Sequence, residues 1–135
     1  AGDSGQVLAR LELPEPKTGE EIELPLEKLS TKKGTSAVYQ LRLPKIGRYE
    51  LVFRMSSTLG ALAQLPISVF LNNTLQQTVT LNGTEGQTME RVVTLPIRQD
   101  GEKYMKLYFG ESGIDMHRMF LRYVGKNDIE SIRNE

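Results

Sequence analysis

An alternation of apolar and polar side chains with a period of two dominates this chain and most constrains its fold. In residues 48–57 every second side chain is bulky and apolar, and these are Tyr49, Leu51, Phe53 and Met55. Successive side chains of a strand point to opposite faces of a sheet, so the pattern predicts a strand that is buried on one side. The same alternation recurs in residues 74–81 and 89–97, and helical periodicity is almost absent before the last ten residues.

Nine segments fit strands, and turns rich in Gly, Asn and Asp separate them: 6–13, 21–26, 36–43, 48–57, 65–72, 74–81, 89–97, 103–110 and 117–124. The tight LNNT turn at 71–74 predicts a hairpin over residues 65–81. Even strand spacing without long helices predicts an all-β fold, either a sandwich or a barrel. The expected core comprises Leu51, Phe53, Val69, Val79, Val93, Leu107 and Leu121.

Length and charge limit the domain organisation and the partners. The chain has 135 residues, enough for one domain, which we assign to residues 1–125. The charged end, residues 126–135, is predicted to be a polar tail or linker. Its 17 basic and 17 acidic side chains balance to a net charge of zero, so we expect neither nucleic acid nor a membrane as partner. The opening AGDSGQ lacks the features of a signal peptide, which predicts a mature secreted chain or an excised domain.

Enzyme and metal signatures are absent from the sequence. It contains no nucleophile elbow, phosphate loop, zinc-protease helix or dinucleotide fingerprint, and it has no cysteine. His117 is the single histidine and lies between strand-type residues, where a packing or polar-face role is commoner than catalysis. Acidic residues of the first strand and of the last loop are open to two interpretations. They either approach each other around a calcium ion or remain solvated surface charges.

Sugar binding is the remaining chemistry that the residues can support. Aromatic rings stack on the apolar face of a sugar, and planar polar side chains hydrogen-bond its hydroxyl groups. The chain has no tryptophan, and its candidate rings, each of which could equally pack within the sandwich, are Tyr39, Tyr104, Tyr108 and Tyr123.

The order of strands and turns resembles that of carbohydrate-binding modules of families 6, 35 and 36. The similarity covers roughly residues 7–124 and is carried by three stretches in sequence: SAVYQLRLPKIGRYELVFRMSS, ISVFLNNTLQQTVTLNGTEGQTMERVVTLPI and DGEKYMKLYFGESGIDMHRMFL. The resemblance implies a galactose-binding-domain-like fold, a jelly-roll β-sandwich of two antiparallel sheets. It also implies a noncatalytic appendage of a secreted polysaccharide-degrading enzyme.

The resemblance implies a ligand site at the loop end of the sandwich, formed in the family by two aromatic residues and an asparagine. Tyr39 matches one aromatic residue, and Gln87 stands near the position of the missing tryptophan, where Gly86 and Met89 are the other candidates. Asp115 matches the asparagine; its carboxylate can accept hydrogen bonds from hydroxyl groups but cannot donate to them. The candidate carbohydrate-binding residues are therefore Tyr39, Gln87 and Asp115.

The family's structural calcium site is altered in this chain. Of its three acidic positions, Arg10 replaces the first, Glu12 retains the second, and His117 replaces the third. Calcium requires several anionic or neutral oxygen ligands, so we expect no bound metal and no cofactor. In its place we expect a metal-free polar tie between the first and last strands, formed by Arg10, Glu12 and His117.

Two functions remain open at this point, and neither is catalytic. The first is a carbohydrate-binding module that targets a tethered secreted enzyme to a polysaccharide or glycan. The second is a ligand-free structural module that packs against the catalytic domain of the same polypeptide, which the missing tryptophan and asparagine favour. Both predict an extracellular or periplasmic protein.

Overall fold

Nine strands build the part of the chain that the computed structural model describes, residues 7–125. In chain order they are β1 (Val7–Glu12), β2 (Glu21–Glu23), β3 (Ser36–Leu43), β4 (Gly47–Ser56), β5 (Gln64–Leu71), β6 (Thr74–Asn82), β7 (Met89–Ile97), β8 (Gly101–Phe109) and β9 (Asp115–Gly125). The predicted tail, 126–135, lies outside the described residues. Within 7–125 no helix is long and apolar enough to cross a membrane.

The strands form two sheets that face each other. One sheet has five strands in the order β1-β3-β8-β5-β6, and the other has four in the order β2-β9-β4-β7. The predicted β-sandwich is therefore confirmed, with one difference in pairing. β1 pairs parallel to β3, whereas all other neighbouring strands are antiparallel. The intervening β2 belongs to the opposite sheet, so the chain crosses the sandwich and returns in its original direction.

The inner faces of the sheets supply the core, as the period-two pattern predicts. All seven residues of the predicted core are at most 7% exposed. The hairpin over 65–81 is confirmed as well. Its turn residues, Asn72 and Asn73, have φ angles of 50° and 68°, which Asn tolerates better than most residues and which suit a two-residue hairpin.

A tight contact closes the end of the sandwich at which β4 begins. Gly47 has a φ of 142°, and a Cβ atom there would lie 2.5 Å from the carbonyl oxygen of Gly125 and 2.7 Å from Tyr123 Oη. Tyr123 Oη donates to the Ile46 carbonyl, and its ring makes an edge contact with Tyr49 at a centroid distance of 5.1 Å. This end is therefore filled by packed side chains. The loops that follow β2, β4, β6 and β8 lie at the opposite end.

Candidate functional site

Four loops meet at the end of the sandwich where β4 finishes; we call residues 30–35, 57–63, 83–88 and 110–115 the loop end. The first and last of these loops are joined by side-chain hydrogen bonds. Thr31 Oγ1 donates to the Ile114 carbonyl at 2.7 Å, and Ser112 Oγ accepts from the Lys33 backbone at 2.8 Å. The Lys33 ammonium also lies 3.6 Å from the Glu111 carboxylate. These contacts hold the two loops against each other.

The other two loops are joined through Ser57, a fully buried residue that follows β4 directly. Its backbone N–H donates to Thr84 Oγ1 at 2.8 Å, and the same hydroxyl donates to the Ser57 carbonyl at 2.9 Å. The Gly86 N–H donates to that carbonyl as well. A single threonine therefore satisfies both backbone groups of Ser57, and loop 83–88 is fixed beside the end of β4.

Gln87 and Asp115 both belong to the loop end and flank the same strand. Asp115 is the first residue of β9 and pairs with Ser56, the last residue of β4. Gln87 follows Gly86, which is bonded to Ser57, and it precedes β7 on the other side of β4. Both side chains are exposed. Two of the three candidate sugar-binding residues therefore lie at one end of one sheet.

Tyr39 does not belong to this site, so its interpretation as a sugar-stacking ring is wrong. Its side chain is 0% exposed, within the core between the sheets, and its Oη donates to the Pro25 carbonyl at 2.7 Å. Burial, together with the nearby Glu27 carboxylate, raises the pKa of Tyr39 to about 12. A ring that is wholly covered by protein cannot stack on a ligand.

His117 occupies a β-bulge next to Asp115. Arg54 of β4 lies opposite Arg118 and Met55 lies opposite Met116, so His117 is an extra residue in β9. Its Nε2 atom lies 2.6 Å from the hydroxyl of Ser56, a residue that is itself almost buried. The sequence carried a signal for this bulge, because Met116 precedes the next inward-facing residue, Met119, by three positions instead of two.

Arg10, Glu12 and His117 are not brought together, and the predicted polar tie between the first and last strands is wrong. β1 is an edge strand of the five-stranded sheet, whereas β9 lies in the four-stranded sheet. Arg10 Nε donates to Gln40 on the neighbouring β3 at 3.0 Å, and His117 contacts Ser56. Within 7–125 no three His, Asp or Glu side chains group closely enough to hold a metal.

A shallow depression of about 320 Å³ adjoins Gln87 and is lined by Arg54, Thr88, Met89 and Glu90. Arg54 Nε and Glu90 Oε2 lie 3.2 Å apart, so the two charges neutralise each other across β4 and β7. Met89 is exposed and contributes an apolar surface to the depression. The depression therefore offers one apolar side chain beside polar groups.

Paired charges cover the neighbouring part of the outer face of the four-stranded sheet, the face turned away from the core. Arg118 bonds to Glu23 and to Glu21, and these hydrogen bonds raise the pKa of its guanidinium, which stays charged. The same guanidinium lies 4.0 Å from the centre of the Phe120 ring, a cation–π contact. Arg122 in turn donates twice to Glu50. These arginines are committed to partners within the sheet.

The other tyrosines considered from the sequence divide between core and surface. Tyr123 is buried, whereas Tyr104 and Tyr108 are exposed on β8, on the outer face of the five-stranded sheet. The four loops of the loop end contain no aromatic residue. The ring platform expected for a typical sugar-binding module is therefore missing from this end.

Comparison with known proteins finds similarity to short parts of two β-glucosidases. No family profile matches the sequence. A β-glucosidase from Ruminococcus albus is 25% identical over 104 residues, which are 77% of this chain and 11% of that enzyme. A β-glucosidase structure from Paenibacillus barengoltzii matches 87% of this chain with a TM-score of 0.54 and 17% identity, and the match covers 13% of the enzyme. The chain thus spans about a tenth of the length of these two proteins.

Isolated modules of similar size share the same fold. A family 35 carbohydrate-binding module from an environmental isolate aligns with a TM-score of 0.56 and 18% identity, covering 70% of this chain and 69% of the module. The family 6 module of Cellvibrio mixtus lichenase 5A, solved with cellotriose, aligns with a TM-score of 0.53 and 12% identity over 78% and 87%. The resemblance predicted from the sequence motifs is confirmed at the level of the fold.

Proposed function

We propose that this chain is a noncatalytic carbohydrate-binding module within a longer glycan-degrading enzyme. The observation that carries the proposal is the convergence of Gln87 and Asp115 on the end of β4, in a sandwich whose structural relatives are carbohydrate-binding modules. Similarity to about a tenth of two β-glucosidases supports an accessory position in such an enzyme. An enzyme of this kind that acts on a polymer works outside the cytoplasm.

The site would recognise a sugar mainly through polar contacts. Asp115 accepts hydrogen bonds from hydroxyl groups, and the Gln87 amide both accepts and donates them. Met89 offers the apolar surface against which the C–H groups of the ring can pack. Because no aromatic ring lies in the loop end, we expect weaker binding than a stacked sugar would give. Tethering compensates for weak affinity, since it raises the local concentration of the enzyme near its polymer.

The test is affinity electrophoresis of this domain in gels that contain soluble β-glucans, with cellotriose as a competing ligand. We expect wild-type migration to be retarded and the retardation to be lost in Asp115→Ala and Gln87→Ala. Tyr104→Ala is the matched control, because that side chain is exposed on the opposite sheet. Retardation that disappears in Tyr104→Ala but persists in Asp115→Ala would refute this location of the site.

A second function, as a structural module that packs against a catalytic domain, is favoured by one feature of the loop end. Leu62 is 98% exposed and Leu59 is 41% exposed in the same loop. Exposed apolar side chains that group into a patch mark contacts with another protein domain. In the complete enzyme, Leu62→Ser would then lower the melting temperature of the catalytic domain without altering this domain on its own. Equal melting temperatures in the complete enzyme would argue against this alternative.

A further inference from the structure

The bulge in β9 brings polar side chains of β4 and β9 together on the outer face of the four-stranded sheet. Ser56 follows Arg54 by two residues, so both lie on the outer face of the four-stranded sheet, and Asp115 lies opposite Ser56. His117 follows Asp115 by two residues and lies on this face as well, and its imidazole reaches Ser56 Oγ. The extra residue of the bulge turns Arg118 to the same face, where it lies opposite Arg54.

Asp115 alone provides only part of the hydrogen bonding that a pair of sugar hydroxyls requires. A sugar with two adjacent hydroxyls is best held by a partner that accepts from one and donates to the other, as an asparagine amide does. The carboxylate of Asp115 can only accept. A donor must therefore come from a neighbouring side chain if this position is to recognise a diol.

The neighbouring arginines are oriented by carboxylates of the same sheet. The guanidinium of Arg118 is bonded to Glu21 and Glu23, and that of Arg54 is paired with Glu90. The Nε2 atom of His117 lies 2.6 Å from Ser56 Oγ, and His117 is an exposed residue. If the Ser56 hydroxyl donates to Nε2, the neutral ring carries its proton on Nδ1 and offers an N–H donor.

We infer that Asp115 and His117 together form an acceptor–donor pair for a vicinal diol of the glycan, and that Ser56 positions the imidazole and selects its tautomer. This assignment rests on the proposed carbohydrate-binding function. Asp115 accepts a hydrogen bond from one hydroxyl, and His117 Nδ1–H donates to its neighbour. Two side chains thereby supply the acceptor and the donor that one amide group would combine.

Two substitutions of His117 distinguish its hydrogen bond to the ligand from its hydrogen bond to Ser56. Asparagine at position 117 keeps an N–H group near the place of Nδ1 but does not reach Ser56. Glutamine keeps a polar group near the place of Nε2 but provides no donor near Nδ1. We expect His117→Asn to bind close to wild type, and His117→Gln and His117→Ala to bind about five- to tenfold more weakly. The opposite order would show that His117 only supports Ser56 and would overturn the assignment.

The binding series uses affinity electrophoresis in the glucan that retards the wild type, and thermal unfolding confirms that each variant is folded. A wild type that binds no glycan overturns the proposed function together with this assignment. A wild type that binds while His117→Ala binds equally well overturns the assignment alone.

Nuclear magnetic resonance supplies a readout that does not depend on any glycan. The ¹⁵N shifts of the neutral His117 ring should report the Nδ1–H tautomer in the wild type and a mixture of tautomers in Ser56→Ala. A wild-type ring protonated on Nε2 would contradict the role assigned to Ser56.

Discussion

Substitution of Tyr39 by phenylalanine separates a core role from a ligand-binding role. The change removes the hydroxyl that donates to the Pro25 carbonyl at 2.7 Å and leaves the buried ring in place. Pro25 is half-buried, so water can restore part of the lost hydrogen bond. We expect the free energy of unfolding to fall by about 1 kcal/mol.

For a chain of this length, that loss corresponds to a decrease of about 3–4 °C in melting temperature. Tyr39→Ala, which also removes the ring from the core, should cost about 3–5 kcal/mol. Both values are measured by urea unfolding followed by circular dichroism. Glycan affinity, measured well below the melting temperature, should be unchanged in Tyr39→Phe. A variant of normal stability that binds glycan tenfold more weakly would refute the core assignment.

Three further predictions concern the fold. Burial raises the pKa of both Tyr39 and Tyr49 to about 12, above the ordinary value of 10, so the folded state favours the neutral phenols. Their contribution to stability is fully present below pH 10 and is lost as the pH rises through 12. Urea midpoints should therefore fall less steeply across this pH range in the Tyr39→Phe, Tyr49→Phe double variant than in the wild type. Parallel pH curves for the two proteins would contradict this. Gly47→Ala should destabilise the protein by more than about 2 kcal/mol, because its Cβ atom would meet the Gly125 carbonyl. Gly101→Ala, which is also at positive φ but faces open space, should destabilise it less. Equal losses of stability in the two variants would show that the close contact does not matter. Millimolar calcium chloride should leave the melting temperature unchanged, and a rise of several degrees would reveal a calcium site that the residues described here do not form.

Periodicity predicted the fold because each strand has one face in the core. The alternation in β3 also assigns Tyr39 to the inner face, together with Ala37, Leu41 and Leu43. The motif comparison nevertheless assigned Tyr39 to the ligand site. The local pattern was the better guide here, because a ring on an inner face is covered by the opposite sheet wherever the sandwich is closed.

The site was only partly predictable. Motif order proposed Gln87 and Asp115 as site residues, and the turns before β7 and β9 place both at the loop end. The place of His117 depends on a bulge, and its partner Ser56 is 61 residues away in the chain. The parallel pairing of β1 depends on the chain's crossing between sheets, which strand periodicity does not report. That crossing separates Arg10 and Glu12 from His117.

The most direct test of the central claim is a titration of the ¹⁵N-labelled domain with cellotriose, followed by amide chemical shifts. The account predicts that the largest changes fall on Ser56, Gln87 and Asp115, with little change at Tyr39 or Tyr104. Saturating ligand that moves the amides around Tyr104 and Tyr108 while the loop end stays unchanged would contradict it.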